Sequence, residues 1–119
     1  MKKNLILAAS FLSASLLLIG CATAWSSYTS TGNEYPALAE NAQVDVIMRA
    51  TPEYKVHQIG IIEVRCGVET HCIEEAKKVA RQKGGNVIVL AQSSSGFNVD
   101  DGEVSQFKIR TYEVCRKVE

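Results

Sequence analysis

Hydrophobic and polar positions follow three rhythms along the chain. Residues 5–19 are an almost unbroken apolar run, interrupted only by Ser10, Ser13 and Ser15. Residues 22–41 show no sustained period: Ala, Ser, Thr and Gly recur there, with Pro36 near the end. From residue 42 onward, periodic segments take over. Val44, Val46 and Met48 alternate with polar neighbours, which predicts a short strand ending near Pro52. Residues 54–65 are rich in β-branched side chains and predict a second strand, with Gly60 marking a bulge or a close-packing point. Cys72, Ile73, Ala76, Val79 and Ala80 then recur at helical spacing, while Glu74, Glu75, Lys77, Lys78 and Arg81 occupy the other side. Thr70 is the expected N-cap of this helix and Gly84-Gly85 its expected stop. The continuous run Val87-Ile88-Val89-Leu90-Ala91 predicts a central strand covered on one or both faces. Residues 93–102 read as a polar loop with a hairpin turn at Asp100-Asp101-Gly102, and residues 104–115 as a long last strand. Phe107 and Ile109 share one phase of that strand, Tyr112 and Val114 the other, so a bulge is expected near Thr111. The order is β-β-α-β-β. A right-handed β-α-β crossover places the helix on one face of a small mixed four-stranded sheet, an α+β fold.

Residues 1–20 read as an export signal: Lys2 and Lys3 lead the apolar run, which stops at Gly20 short of the roughly 20 apolar residues that a spanning helix needs. Leu18-Ile19-Gly20-Cys21 resembles the bacterial lipobox. That resemblance implies cleavage before Cys21, a diacylglycerol on its thiol and an acyl group on its amine, so the membrane is a tether for the domain. Lipoproteins retained at the inner membrane tend to carry Asp after the lipidated cysteine, and this chain has Ala22. The resemblance therefore implies lipid anchoring at the outer membrane, with the domain of residues 42–119 in the periplasm. Residues 21–41 are the expected lipidated N-terminus and flexible linker, with a reach of roughly 25 Å. Trp25 and Tyr28 are either interfacial rings or incidental members of that linker.

Composition narrows the function. A chain of 119 residues has room for one small domain. Lys and Arg number 13 against 13 Asp and Glu, so the basic footprint of a nucleic-acid binder is missing and no nucleic-acid partner is expected. The sequence carries no Gly-rich phosphate loop, nucleophile elbow or zinc-protease signature. His71 and Cys72 are adjacent, so on a helix they diverge by about 100° and make a poor base–nucleophile pair. A non-enzymatic protein without a cofactor is the expectation.

The four cysteines carry most of the remaining chemistry. With Cys21 lipidated, three are left, so at least one is unpaired within a monomer. An exported chain can oxidise its thiols. Loop entropy gives about 2.4 kcal/mol for a Cys66–Cys72 bridge and about 4.0 kcal/mol for Cys72–Cys115, too small a difference to choose by. Strand direction does choose: the second predicted strand runs up to Cys66, the helix starts at that end with Cys72, and the last strand carries Cys115 to the opposite end. Cys66–Cys72 is the expected disulfide. Cys115 is then a partly buried small hydrophobe or an intermolecular partner contact. Phe97, in the polar loop, is either a partner contact or folded back on the sheet. The rival chemistry is a metal site built from Cys66, His71 and Cys72.

Over residues 54–115 the strand Ile59-Gly60-Ile61-Ile62-Glu63-Val64 with Cys66 just beyond it, the Ala- and Lys-rich helix, and Gly85-Asn86-Val87-Ile88-Val89-Leu90 resemble the outer-membrane stress-sensing lipoproteins of the Rcs pathway. The course from Pro52 through Gly60 to a helix and Gly-Gly-Asn-Val-Ile is also similar to the YbjQ-like small domains, sometimes labelled heavy-metal-binding. The Rcs sensors carry two disulfides and a long basic, proline-rich stalk; their first cysteine pairs with one near the start of the last strand, where this chain has residues such as Ser105. The first resemblance implies a membrane-tethered protein that acts through an envelope protein partner, in stress sensing or assembly. The second implies metal binding.

Overall fold

The computed structural model describes residues 24–49 and 51–118; the expected signal at residues 1–20 and the lipid site Cys21 lie outside them. Among the described residues the chain is α+β, with elements β1 (Ala24–Ser30), β2 (Asp45–Ile47), β3 (Val56–Cys66), α1 (Glu69–Gln82), β4 (Val87–Asp100) and β5 (Glu103–Lys117). One mixed sheet has the order β1-β3-β5-β4-β2. β5 lies antiparallel between β3 and β4, so those two point the same way, as a β-α-β unit requires. β2 runs parallel to β4 at one edge and β1 antiparallel to β3 at the other. No helix among the described residues is long and apolar enough to cross a membrane.

The sheet has five strands where the sequence predicts four, and the addition is β1. Residues 22–41, expected as a flexible linker, instead begin with a strand paired along β3 from Ala24↔Cys66 to Ser30↔Gly60. Its alternation is real, but Ala24, Ser26 and Tyr28 are the inward positions, so only one large side chain reports it. Tyr28 lays its ring on Gly60, where a Cβ would collide with it, and donates its hydroxyl to the Ile59 carbonyl at 3.0 Å. Ser26 donates to a carboxylate oxygen of Glu75 on α1 at 2.6 Å.

Residues 93–100 of the expected polar loop are also strand, and the hairpin turn falls at Asp101-Gly102, within the expected Asp100-Asp101-Gly102. β4 and β5 stay paired to the tip, ending with Val99↔Val104 and Asp100↔Glu103. Asp101 and Gly102, at φ 48° and 82°, make the two-residue turn that suits a twisted hairpin. Residues 91–95 are exposed, so this stretch has no buried face and no apolar alternation to announce a strand. The bulge expected near Thr111 of β5 is not in that strand, which alternates without a break because its two phases are simply its two faces; the register shift falls on the facing strand, between Leu90 and Gln92 of β4. A second shift falls between Gln58 and Gly60 of β3, at the glycine expected to mark one.

α1 starts at Glu69, one residue before the predicted cap Thr70. Val68 occupies the N-cap without a side-chain hydrogen bond. The helix ends where predicted, at Lys83 followed by Gly84 with φ 86°. Its buried residues Cys72, Ala76, Val79 and Ala80 pack with Ile59, Ile62, Val64, Ile88, Tyr112 and Val114 into one core. Small side chains on the helix let it sit close to the β-branched sheet.

Candidate functional site

The disulfide Cys66–Cys72 ties the end of β3 to the first turn of α1, with the two Cα atoms 5.5 Å apart. Both residues belong to the core, at 4 % and 0 % exposure. His71 is exposed beside it. The sulfurs that a Cys66–His71–Cys72 metal site would use are bonded to each other, and the described residues contain no group of three or more His, Cys, Asp or Glu placed to hold a metal. Cys115 pairs with Gln58 and Val87, near the start of β3 and away from Cys66, as strand direction predicts. It is free, only 2 % exposed, and burial, helped by Glu113, raises its thiol to about 11. That is the buried-hydrophobe outcome rather than a surface ready for a partner.

Phe97 is 67 % exposed and stands on the β4–β5 hairpin, not folded back. Its neighbour across the hairpin is Gln106, nine positions from Cys115 along β5, so the two expected contact residues lie about 30 Å apart.

A different cluster does assemble. Arg110 donates to Glu69 of α1, and Tyr112 and Val114 join the helix-side core, so even positions of β5 face α1. Odd positions face away. On that uncovered side Trp25 pairs with Arg65, and Arg65 pairs with Ile109, which brings Phe107 diagonally within reach. The Arg65 guanidinium lies 5.3 Å from the Trp25 ring centroid and 5.7 Å from that of Phe107. Its Nη2 is 3.5 Å from Glu63 Oε1. Phe107 keeps this place because its partner Gly96 has no Cβ; one there would run into the ring. Ala24, Trp25, Arg65, Cys66, Gly67, Asn98 and Phe107 line a shallow cavity of about 380 Å³.

This arrangement offers a cation held between two rings, with N–H donors left for an acceptor, on a flat β surface. Sequence reading weighed Trp25 only as an interfacial ring or an incidental linker residue, and missed Arg65 altogether. The signal was the odd-numbered phase of the second predicted strand, which becomes informative only once β1 is known to be its neighbour. Tyr28, weighed with Trp25 as an interfacial ring, is half-buried against the core, packed on Gly60.

At the other end of the same face Tyr54 donates to Asp45 Oδ2 at 2.6 Å, and Lys117 lies 3.3 Å from the same oxygen and 4.2 Å from the Tyr54 ring centroid. The bond from Tyr54, with Lys117 adding to it, holds the Asp45 carboxyl below its ordinary range. Burial, then Asp45, raises Tyr54 to about 12.

No protein-family model matches the chain, and no curated protein matches it. Among solved structures, the crystal structure of a Francisella virulence factor, FvfA, in its orthorhombic form is similar to it. The match has 19 % identity and a TM-score of 0.49, and spans 76 % of this chain and 97 % of that one. A likeness of that size carries no argument about what this chain does.

Proposed function

We propose that this chain is a lipid-anchored, non-enzymatic protein of the outer membrane whose periplasmic domain binds another protein through the uncovered face of its sheet. The observation that carries the reading is Arg65 held between Trp25 and Phe107. Trp and Arg dominate the residues that contribute most to protein contacts. Side chains already stacked in a sheet lose little freedom on binding, which leaves more of the contact energy as affinity. The surface is flat and mixes apolar Ile61 and Ile109 with Glu63, Thr111 and Glu113, a composition suited to a protein rather than a small molecule. The lipobox supports the anchoring, and the resemblance to the Rcs lipoproteins supports a role in envelope sensing or assembly.

A photoreactive residue at Ile61, on the same face, is expected to trap a protein neighbour in intact cells, and Arg65→Ala to weaken that adduct at least tenfold, as loss of about 1.4 kcal/mol or more implies. Absence of any adduct at Ile61 contradicts the reading. The metal reading loses its two thiolates to the disulfide; native protein with free Cys66 and Cys72 and stoichiometric metal would restore it.

A further inference from the structure

The most exposed large apolar side chains among the described residues are Val99, Phe97, Val104, Trp25 and Val68, at 71, 67, 66, 56 and 50 %. All five lie at the end of the sheet where β1 begins. Trp25 is engaged with Arg65; the other four have no such partner. Register places three of these on one side of the β4–β5 arm. Val99 pairs with Val104 and Phe97 with Gln106, and the same row continues through Lys108 to Arg110, which bonds Glu69 of α1. Phe97, Val99, Val104 and Lys108 therefore share the helix side of the sheet, and Val68 directly precedes the helix. Asn98, Asp100, Glu103 and Ser105 fall on the opposite side. The arm is an amphipathic two-stranded ribbon, apolar with a lysine at its base on one side and acidic on the other. Such a ribbon is marginal in water unless something covers its apolar side.

Chain length identifies the cover. Ala24 pairs with Cys66, and Cys66 with Lys108. Three Cα steps separate Cys21 from Ala24, a span of at most about 11 Å. The arm runs five residues past Lys108 to Glu103, about 17 Å, and β5 runs nine residues the other way to Lys117, about 30 Å. A lipid on Cys21 thus holds the arm end of the sheet, not its far end, close to the bilayer. The arm is then the part of the domain within reach of the headgroups.

Building on the lipid anchor proposed above, we infer that the arm docks on the bilayer that holds Cys21. Phe97, Val99, Val104 and Val68 enter the interfacial layer, Lys108 lies at the phosphates, and Asp100 and Glu103 turn to water. An apolar face bordered by a basic residue is the chemistry of interfacial attachment. The Trp25–Arg65–Phe107 face is then turned away from lipid and open to the periplasm.

The test places a nitroxide at position 99 in the full acylated protein, reconstituted in phosphatidylethanolamine–phosphatidylglycerol vesicles. Native cysteines do not compete for the label: Cys66 and Cys72 are bonded, Cys115 is buried, and Cys21 carries lipid under this reading. A Val99→Cys label is expected to relax faster with oxygen than with a water-soluble nickel chelate, while a Thr29→Cys label, on β1 away from the arm, shows the reverse. Equal nickel access at 99 and 29 overturns the proposal. Shielding of position 99 from both reagents also overturns it, and points to a protein on the arm. If intact mass shows no acyl groups, the anchor reading fails by itself, and the docking face is judged on that same protein by vesicle flotation. Flotation reduced about tenfold by Phe97→Ser supports the face; no flotation of the parent overturns it.

Discussion

Gly60 has no side chain because Tyr28 fills the space, and that contact joins β1 to the rest of the sheet. Gly60→Ala is expected to cost about 2 kcal/mol or more, the usual penalty for overpacking a core, seen as a lower urea midpoint. Tyr112 presents the opposite case. It is fully buried in the core, and its hydroxyl has no hydrogen-bond partner. Tyr112→Phe removes an unsatisfied polar atom and should leave stability equal or raise it by about 1 kcal/mol in the same assay. Buried Tyr112 and Cys115, with half-buried Tyr54, set the alkaline limit. Burial first, with Glu69 at Tyr112, Asp45 at Tyr54 and Glu113 at Cys115, raises the two hydroxyls to about 12 and the thiol to about 11, from ordinary values of 10.0 and 9.0. The folded form therefore holds these protons where the unfolded chain gives them up. The stability they contribute is intact below pH 9 and declines as pH rises through the window from 9 to about 12. Asp45 acts in the other direction: its lowered value means that the stability it contributes is present above the ordinary carboxylate range and is lost on acidification through its folded value. Urea midpoints measured across both limits check the two signs.

At the scale of elements, the disulfide links a strand end to a helix start that has no side-chain cap. Reduction should lower the free energy of unfolding by about 2.4 kcal/mol, the loop-closure contribution, measured as the difference between urea curves with and without reductant. This pairing was legible in the sequence because it needs only the order and direction of neighbouring elements. β2, β3, α1, the first half of β4 and the last strand β5 were legible too, since burial of one face writes itself as periodicity, and so was the turn at the tip of the arm. β1 and the β4 side of the arm were not. The inward positions of β1 are Ala24, Ser26 and Tyr28, which carry little apolar contrast, and residues 91–95 of the arm bury nothing. The Trp25–Arg65–Phe107 cluster was illegible for a further reason. It depends on register between segments about 40 residues apart, Ala24↔Cys66 and Cys66↔Lys108, and a register cannot be assigned to a strand that periodicity does not reveal.

For the whole molecule, β1 changes how the domain would relate to a membrane under the lipid anchor proposed above. A twenty-residue coil would let it wander roughly 25 Å; a strand starting at Ala24 leaves only a short lead from Cys21. On the proposed anchor and docking, the arm presents one face to lipid and the Trp25–Arg65–Phe107 face is left for a protein. All of this depends on processing at a residue that precedes the fold, so mass spectrometry of the intact native protein tests it most directly. The account predicts a chain beginning at Cys21, heavier than its polypeptide by the acyl groups, that gains two hydrogens on reduction of the Cys66–Cys72 bond. A full-length polypeptide beginning at Met1, without fatty acid and unchanged by reductant, would contradict it.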